Sequence, residues 1–280
     1  MTQFENVKIP IEKASPKELK IIVCVKHVPE TAEVELKIDK TGRDIEKSGL
    51  VFDINEWDDY AVEEAIRIKE KLGGNVTVIT VGSEDADSTL RKCLAKGADK
   101  AIRITDKRIN TSDPYIIAKI LSKTIKEIPF DLILTGAQSS DDGYAFIGPA
   151  LAELLDIPHV TLAKKIEFKD RSVIVNRELE GGLEEVVEVE LPALITIQTG
   201  INEPRYVSIM GIRKAMKKEI KTVSIDDLGL SETEVGIEGS WIHVSEVYIP
   251  SIERRAEFIR GTPEEVTSKI IEIIKSRGVI

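Results

Sequence analysis

The sequence predicts an α/β fold in three layers: a mostly parallel, twisted sheet with helices on both faces. A mixed or antiparallel extension and a C-terminal arm are added to it. Three observations carry this expectation. Short, nearly unbroken β-branched runs recur at 20–25, 76–81, 100–104 and 131–135, as in strands buried on both faces. Segments of helical period, with cap and stop residues, lie between them. Crossovers of that length imply parallel β-α-β units of right-handed connection.

The elements follow in order. KIIVCV (20–25) is the first buried strand. Asn55 is a good cap residue for a helix that turns Ala61, Ala65, Ile68 and Leu72 inward and stops at Gly73-Gly74. VTVITV (76–81) is the next strand. Ser83 caps a helix carrying Ala86, Leu90, Cys93 and Leu94 inward, closed by Gly97. KAIRI (100–104) follows, then Asp113-Pro114, a cap with proline at the first helical position. That helix buries Ile116, Ile117, Ile120 and Leu121. DLILT (131–135) leads into a polar loop, GAQSSDDGYAF, and a short helix through Leu155.

After Pro158 the pattern changes. Two longer strands are expected at 160–178 and 186–198, with a turn at Glu180-Gly181-Gly182. From Thr199 to Gly261 regular periodicity fades, which marks a functional or partner-wrapping segment. The last helix is well signalled: Thr262 caps, Pro263 opens, and Glu265 completes a capping box. Val266, Ile270, Ile273 and Ile274 form its apolar stripe, and Gly278 follows its end. The expected divisions are a nucleotide-binding core at 1–198, a recognition loop and basic segment at 199–222, and an arm with its helix at 223–280.

Composition narrows the function. The chain has 280 residues, 42% hydrophobic and 31% charged, so a packed core with a solvated surface is expected and disorder is not. A formal charge of −10 argues against a chain-wide nucleic-acid surface. Two cysteines exclude a disulfide scaffold or a four-cysteine zinc site, and three scattered histidines exclude a His-rich metal centre. No apolar run reaches the ~20 residues of a membrane span, and MTQFENVKIP shows no signal peptide. A cytoplasmic protein without membrane insertion is the expectation.

Nucleotide fingerprints of the GxGxxG and GxxxxGK[ST] types are missing, as are GxSxG and HExxH. Sites in parallel sheets lie at the carboxyl ends of strands. The segments after Val25, Thr80 and Thr135 are therefore the places to look. The loop from Gly136 to Ile147 leaves a buried strand and enters a helix. Gly136 and Gly143 permit close approach, Ser139 and Ser140 offer hydroxyls, and amides at a helix start favour an anion. Asp141 and Asp142 oppose an anion unless they cap or bind ribose hydroxyls. An ordinary surface loop fits the same residues. Asn55, Glu56, Trp57, Asp58 and Asp59 read as a cap with first-turn acids facing the helix dipole. Trp57 also suits covering a planar ring. Cys24 and Cys93 read as small core residues. Residues 205–221 hold Arg205, Arg213, Lys214, Lys217, Lys218 and Lys221 against one acid, Glu219. That is a solvated face or a docking surface for an acidic partner, with nucleic acid as a third reading.

Six blocks in order resemble the β subunit of electron transfer flavoproteins: VCVK (23–26), NEWDDYAVEEA (55–65), TLRKCLAKGAD (89–99), TGAQSSDDGYA (135–145), VNRELEGGLEEVVEVELPALIT (175–196) and INEPRY (201–206). The resemblance covers nearly the whole chain. It implies an adenine nucleotide alpha hydrolase-like core and an electron carrier subunit, not an enzyme. It implies a heterodimer with an α subunit that holds the redox FAD, fed by a dehydrogenase and emptied by a downstream acceptor.

Carried over by motif, a structural AMP would lie among Cys24, Asn55, Glu56, Trp57, Asp58 and Val81. The loop residues Gly136, Ala137, Gln138, Ser139, Ser140, Asp141, Asp142, Gly143, Tyr144, Ala145, Phe146 and Ile147 would complete that site. NEWDD, QSSD-x-x-YA and TIQTGIN-x-PRY are most similar to AMP-type members serving methylotrophic amine dehydrogenases. VPET after Lys26 is more similar to the electron-bifurcating branch, where a second FAD takes that site. Glu56 departs from the proline often found there. Ile209 matches the family's hydrophobic docking anchor, beside Met210 and after Arg205, with a core position as the other reading. The final helix would wrap the α subunit. A stand-alone adenine-nucleotide protein resembling universal stress proteins is the alternative, against which the 175–196 signature and the long arm speak.

Overall fold

The computed structural model of the chain describes residues 18–32, 34–250 and 256–278. The stretch inspected for a signal peptide lies outside the described residues. β1 (Lys20–Cys24) is followed by a small antiparallel ribbon of β2 (His27–Pro29) and β3 (Phe52–Ile54). Then come α1 (Glu56–Leu72), β4 (Asn75–Val81), α2 (Asp87–Lys96), β5 (Lys100–Ile104) and α3 (Pro114–Lys126). β6 (Leu132–Gly136), α4 (Ile147–Leu155), β7 (His159–Lys169), β8 (Ser172–Glu178), β9 (Glu184–Glu190) and β10 (Ala193–Ile197) follow. The chain continues through α5 (Ile209–Ala215), β11 (Ile220–Val223), a single turn α6 (Gly236–Gly239) and α7 (Pro263–Ser276).

Among the described residues, nine strands form one sheet in the order β11-β5-β4-β1-β6-β10-β7-β8-β9. Its body, from β11 to β7, is parallel, and β7-β8-β9 is an antiparallel extension. The expected α/β sheet with helices on both faces is therefore present. Strand periodicity divides the core in two. Ile21, Val23, Val76, Val78, Leu132 and Leu134 face Ala61, Ala65 and Ile66 of α1 and Leu90 and Cys93 of α2. Their neighbours Ile22, Ile79, Ile102 and Ile133 face Ile116, Ile120 and Ile125 of α3 and Leu151 of α4. Leucines and isoleucines at both parities explain why these strands read as unbroken apolar runs.

Several local expectations need correction. The two long strands are four. Asp170, with φ 50°, turns β7 into β8, and Leu191-Pro192 separates β9 from β10. β10 then crosses from the far edge to lie between β6 and β7, a non-local pairing that no local pattern announces. The region of faded periodicity holds α5, β11 and α6, and β11 adds an edge strand beside β5. The sheet thus continues past residue 198. Ser83 precedes a short 3-10 turn at Glu84–Ala86 and makes no side-chain cap bond. Leu72 is exposed rather than buried. Asp113 and Thr262 cap as expected, accepting from the amides of Ile116 and Glu265.

Candidate functional site

The sheet order creates one crevice. From β1 the chain passes through β2 and β3 to α1 on one face, and from β6 it passes to α4 on the other. The two outgoing paths diverge at the carboxyl ends of neighbouring strands, the usual ligand position in such sheets.

α1 begins at this crevice, and its first turn pins both walls. Asn55 makes no cap bond to its own helix. Its amide nitrogen donates to the Gln138 carbonyl at 2.8 Å, and its oxygen accepts from the Ser140 amide at 3.1 Å. Asp58 accepts the Lys26 amide at 2.7 Å through one carboxylate oxygen and the Gly136 amide at 2.9 Å through the other. Asn55 does hold the cap position and Asp58 is one of three first-turn acids, but both side chains are spent on other segments. They join the end of β1 to the end of β6. Burial pushes the Asp58 carboxyl up to about 7, against the pull of the two amides. Asp59 pairs with Lys96, and Glu56 points outward.

Gly136 is required at this junction. A Cβ there would lie 2.4 Å from an Asp58 oxygen and 2.7 Å from the Trp57 Cβ. Trp57 is half-buried, and its indole N–H donates to the Gln198 side chain at 2.8 Å. Ala137 is buried and hydrogen-bonded to the Ile197 carbonyl. The rest of the loop is open: Gln138, Ser140, Asp141, Asp142, Gly143, Tyr144, Ala145 and Phe146 are exposed, while Ser139 and Ile147 are half-buried. Gly143 and Ala145 both take positive φ, which curls the loop.

The residue that composition and spacing did not flag is Lys26. Its ammonium donates to Asp141 at 2.7 Å and Asp142 at 2.5 Å, with Ser139 Oγ at 3.4 Å. Burial opposes the Lys26 charge, but the two carboxylates outweigh it and hold the ammonium above its usual range. The same ion pair holds Asp141 below the usual carboxylate range despite its partial burial. A lysine directly after a buried strand, facing a loop with two adjacent aspartates, was the available signal. Cys24 is buried at the end of β1, and burial pushes its thiol up to about 12. It is a core residue with no nucleophilic character. Val81 ends β4, half-buried. Among the described residues, no group of three or more His, Cys, Asp or Glu is placed to hold a metal ion. The crevice presents hydroxyls, backbone amides, one lysine and the carboxylates of Asp58, Asp141 and Asp142, groups able to hydrogen-bond a polar ligand.

The second group of sequence-selected residues lies elsewhere, on the segment after β10. Ser208 caps α5 by accepting the Gly211 amide. Ile209 is 74% exposed and Met210 62%, so Ile209 is not a core residue. Tyr206 is almost wholly exposed. Arg205 lies at the start of this segment with its side chain about one-third exposed. Its guanidinium forks onto Glu63 and Glu70 of α1. No helix among the described residues is long and apolar enough to cross a membrane.

A family model described as the electron transfer flavoprotein domain matches residues 44–228. The electron transfer flavoprotein subunit beta of Methylophilus methylotrophus is 42% identical over 91% of this chain and 98% of its own length. That of Thermoanaerobacterium thermosaccharolyticum is also 42% identical, over 94% of this chain and 100% of its own. The caffeyl-CoA reductase-Etf complex subunit CarD of Acetobacterium woodii is 37% identical over 94% of this chain and its own full length.

Proposed function

This chain belongs to the electron transfer flavoprotein subunit beta family, and from that premise we propose that it is the β half of a cytoplasmic heterodimeric electron carrier. Its α partner holds the redox FAD, a dehydrogenase reduces that flavin, and a downstream acceptor reoxidises it. The β chain contributes assembly, a nucleotide staple and a docking surface. The expected division, 1–198 for the nucleotide, 199–222 for docking and 223–280 for the arm against α, is kept as the working division, although Ile225, Leu230 and Val235 pack into the core of this chain. Exposed Trp241, Ile242, Tyr248 and Phe258 and the uncovered stripe of α7 support the last assignment.

The observation that carries the reading is the pinned crevice. Asn55 and Asp58 spend their side chains on the Gln138, Ser140, Lys26 and Gly136 backbone, which fixes the loop in advance. Preorganisation of that kind lowers the cost of binding. AMP suits the residues present. Lys26 is already neutralised by two carboxylates. The phosphate therefore relies on the Ser139 and Ser140 hydroxyls and the loop amides, while Asp141 and Asp142 suit ribose hydroxyls. The FAD on α supplies the electron chemistry when bound, and no residue of this chain needs to move a proton. A second reading places a second FAD in the crevice, as in electron bifurcation. The likeness to a caffeyl-CoA reductase complex subunit and the VPET stretch favour it.

Denaturing the complex co-purified with its α partner and identifying the released nucleotides tests this. One FAD with one AMP supports the simple carrier, and two FAD support bifurcation. Neither AMP nor a second flavin would sink the crevice assignment. For the docking part, Ile209→Ala removes apolar surface worth about 2 kcal/mol if the side chain is buried on docking. Electron acceptance from the cognate dehydrogenase should slow about 30-fold, with the heterodimer and its FAD intact.

A further inference from the structure

Between β10 and α5, residues 199–208 have no regular secondary structure, yet their path is fixed by one helix. Asn202 donates to the Tyr60 carbonyl at 3.1 Å and to Glu64 at 2.9 Å. The Arg205 amide donates to Glu63 at 3.1 Å, and its guanidinium grips both oxygens of Glu63 at 2.9 and 3.0 Å. Glu70 takes the outer side of the same guanidinium. Arg67 also pairs with Glu63 and donates to the Glu203 carbonyl at 3.3 Å.

Glu63 stands out within this set. Its side chain is 2% exposed, next to the apolar stripe of α1. A buried ion pair is a weak source of stability compared with an apolar replacement, but it tolerates few geometries. The far end of the segment is held in the same manner. Arg91 of α2 donates to the Ala215 carbonyl at 2.6 Å and to the Lys218 carbonyl, closing the carboxyl end of α5 with a cation. Gly211 seats α5 directly on α2, since a Cβ there would lie 2.4 Å from the Ala95 carbonyl oxygen. The exposed Tyr206, Ile209 and Met210 are thus carried by a segment clamped at both ends. α1 supplies one clamp, and its first turn pins the nucleotide crevice.

We propose that Glu63, acting through Arg205, is the positioning residue of the docking segment: it locks residues 202–205 onto α1 and so holds the exposed apolar patch in one orientation relative to the crevice. The functional consequence rests on reading that patch as the docking surface, whereas the lock itself does not. Glu63 is itself buried within this chain. It acts by restricting where the patch can be.

Cys24 and Cys93 are buried, so Met210→Cys, assembled with an α partner whose accessible cysteines have been replaced, gives one accessible thiol for a nitroxide label. The paramagnetic spectrum should show a single slow component. Adding Glu63→Gln should introduce a fast component, and Arg205→Gln should reproduce it from the half-buried side of the pair, where folding is less at risk. A label at Lys165→Cys on β7, outside the network, should keep its spectrum in both variants. Unchanged spectra at position 210 overturn the proposal. So does equal loosening at position 165, which would mean a general loss of structure. Electron acceptance separates the two claims. If Ile209→Ala slows it while Glu63→Gln changes neither label nor rate, docking stands and the lock falls. If Glu63→Gln frees the label while Ile209→Ala leaves the rate unchanged, the lock stands and docking falls.

Discussion

Replacing Asp58 with asparagine separates the two forces acting on the junction between β1 and β6. The native carboxylate accepts two backbone amides, from Lys26 at 2.7 Å and Gly136 at 2.9 Å. Asparagine can accept one and turns its own NH2 toward the other, leaving a buried donor unsatisfied at about 1–3 kcal/mol. Against this stands the burial of charge. Asp58 is 6% exposed, and burial raises its carboxyl from an ordinary 3.8 to about 7. The native state therefore binds more protons than the unfolded chain between those values. The stabilisation from this group is full below about pH 4, falls as pH rises, and is gone above about pH 7. At about 1.4 kcal/mol per unit, a gap of about three units sets a ceiling of about 4 kcal/mol. The variant lacks this term. Thermal unfolding of the heterodimer at fixed concentration, from pH 4 to pH 8, should show the advantage of wild type over Asp58→Asn shrinking steadily and levelling off above pH 7. At about 2–4 °C per kcal/mol the swing is readily measured. An advantage that grows with pH would refute the reasoning, because the two amides would then outweigh burial and the fold would favour the anion.

Further outcomes concern the same walls. Gly136→Ala forces a Cβ against Asp58 and Trp57; a loss of about 1–3 kcal/mol in thermal stability is expected, together with weaker nucleotide retention. Lys26→Gln leaves Asp141 and Asp142 side by side without a counter-charge; at about 1 kcal/mol for a partly exposed pair, amide exchange across 138–146 should quicken about fivefold. Cys24 and Cys93 should resist iodoacetamide at pH 8 until the chain is unfolded, as burial pushes both thiols well above their usual range; mass spectrometry of the native adduct checks this.

Much of the architecture was legible locally. Unbroken apolar runs gave the buried strands, and caps such as Asp113 and Thr262 gave helix starts to within a residue. The loop from Gly136 to Ile147 was identifiable because a Gly- and Ser-rich stretch left a buried strand. The roles inside it were not legible. Asn55 carries the local signature of a helix cap, yet its side chain reaches residues more than eighty positions away. Lys26 was not singled out in the sequence, and only the fold brings Asp141 and Asp142 onto its ammonium. Arg205 read as part of a basic docking stretch, but its charge is taken up by Glu63 and Glu70, some 140 positions back in the chain.

The sequence by itself determined the main-sheet strands and the helices of the first half, though not the β2-β3 ribbon, together with the loop that forms one wall of the crevice and, through six ordered blocks, the family. Those features follow from neighbours in the chain: periodicity, capping chemistry and turn residues act over a few positions. Tertiary structure alone decided the sheet order, the insertion of β10 between β6 and β7, the addition of β11 at the edge, and the partners of Asn55, Asp58, Lys26 and Glu63. Each depends on which distant segments share a strand end or a helix face. A polar side chain commits its hydrogen bonds only once burial has removed water as the competing partner.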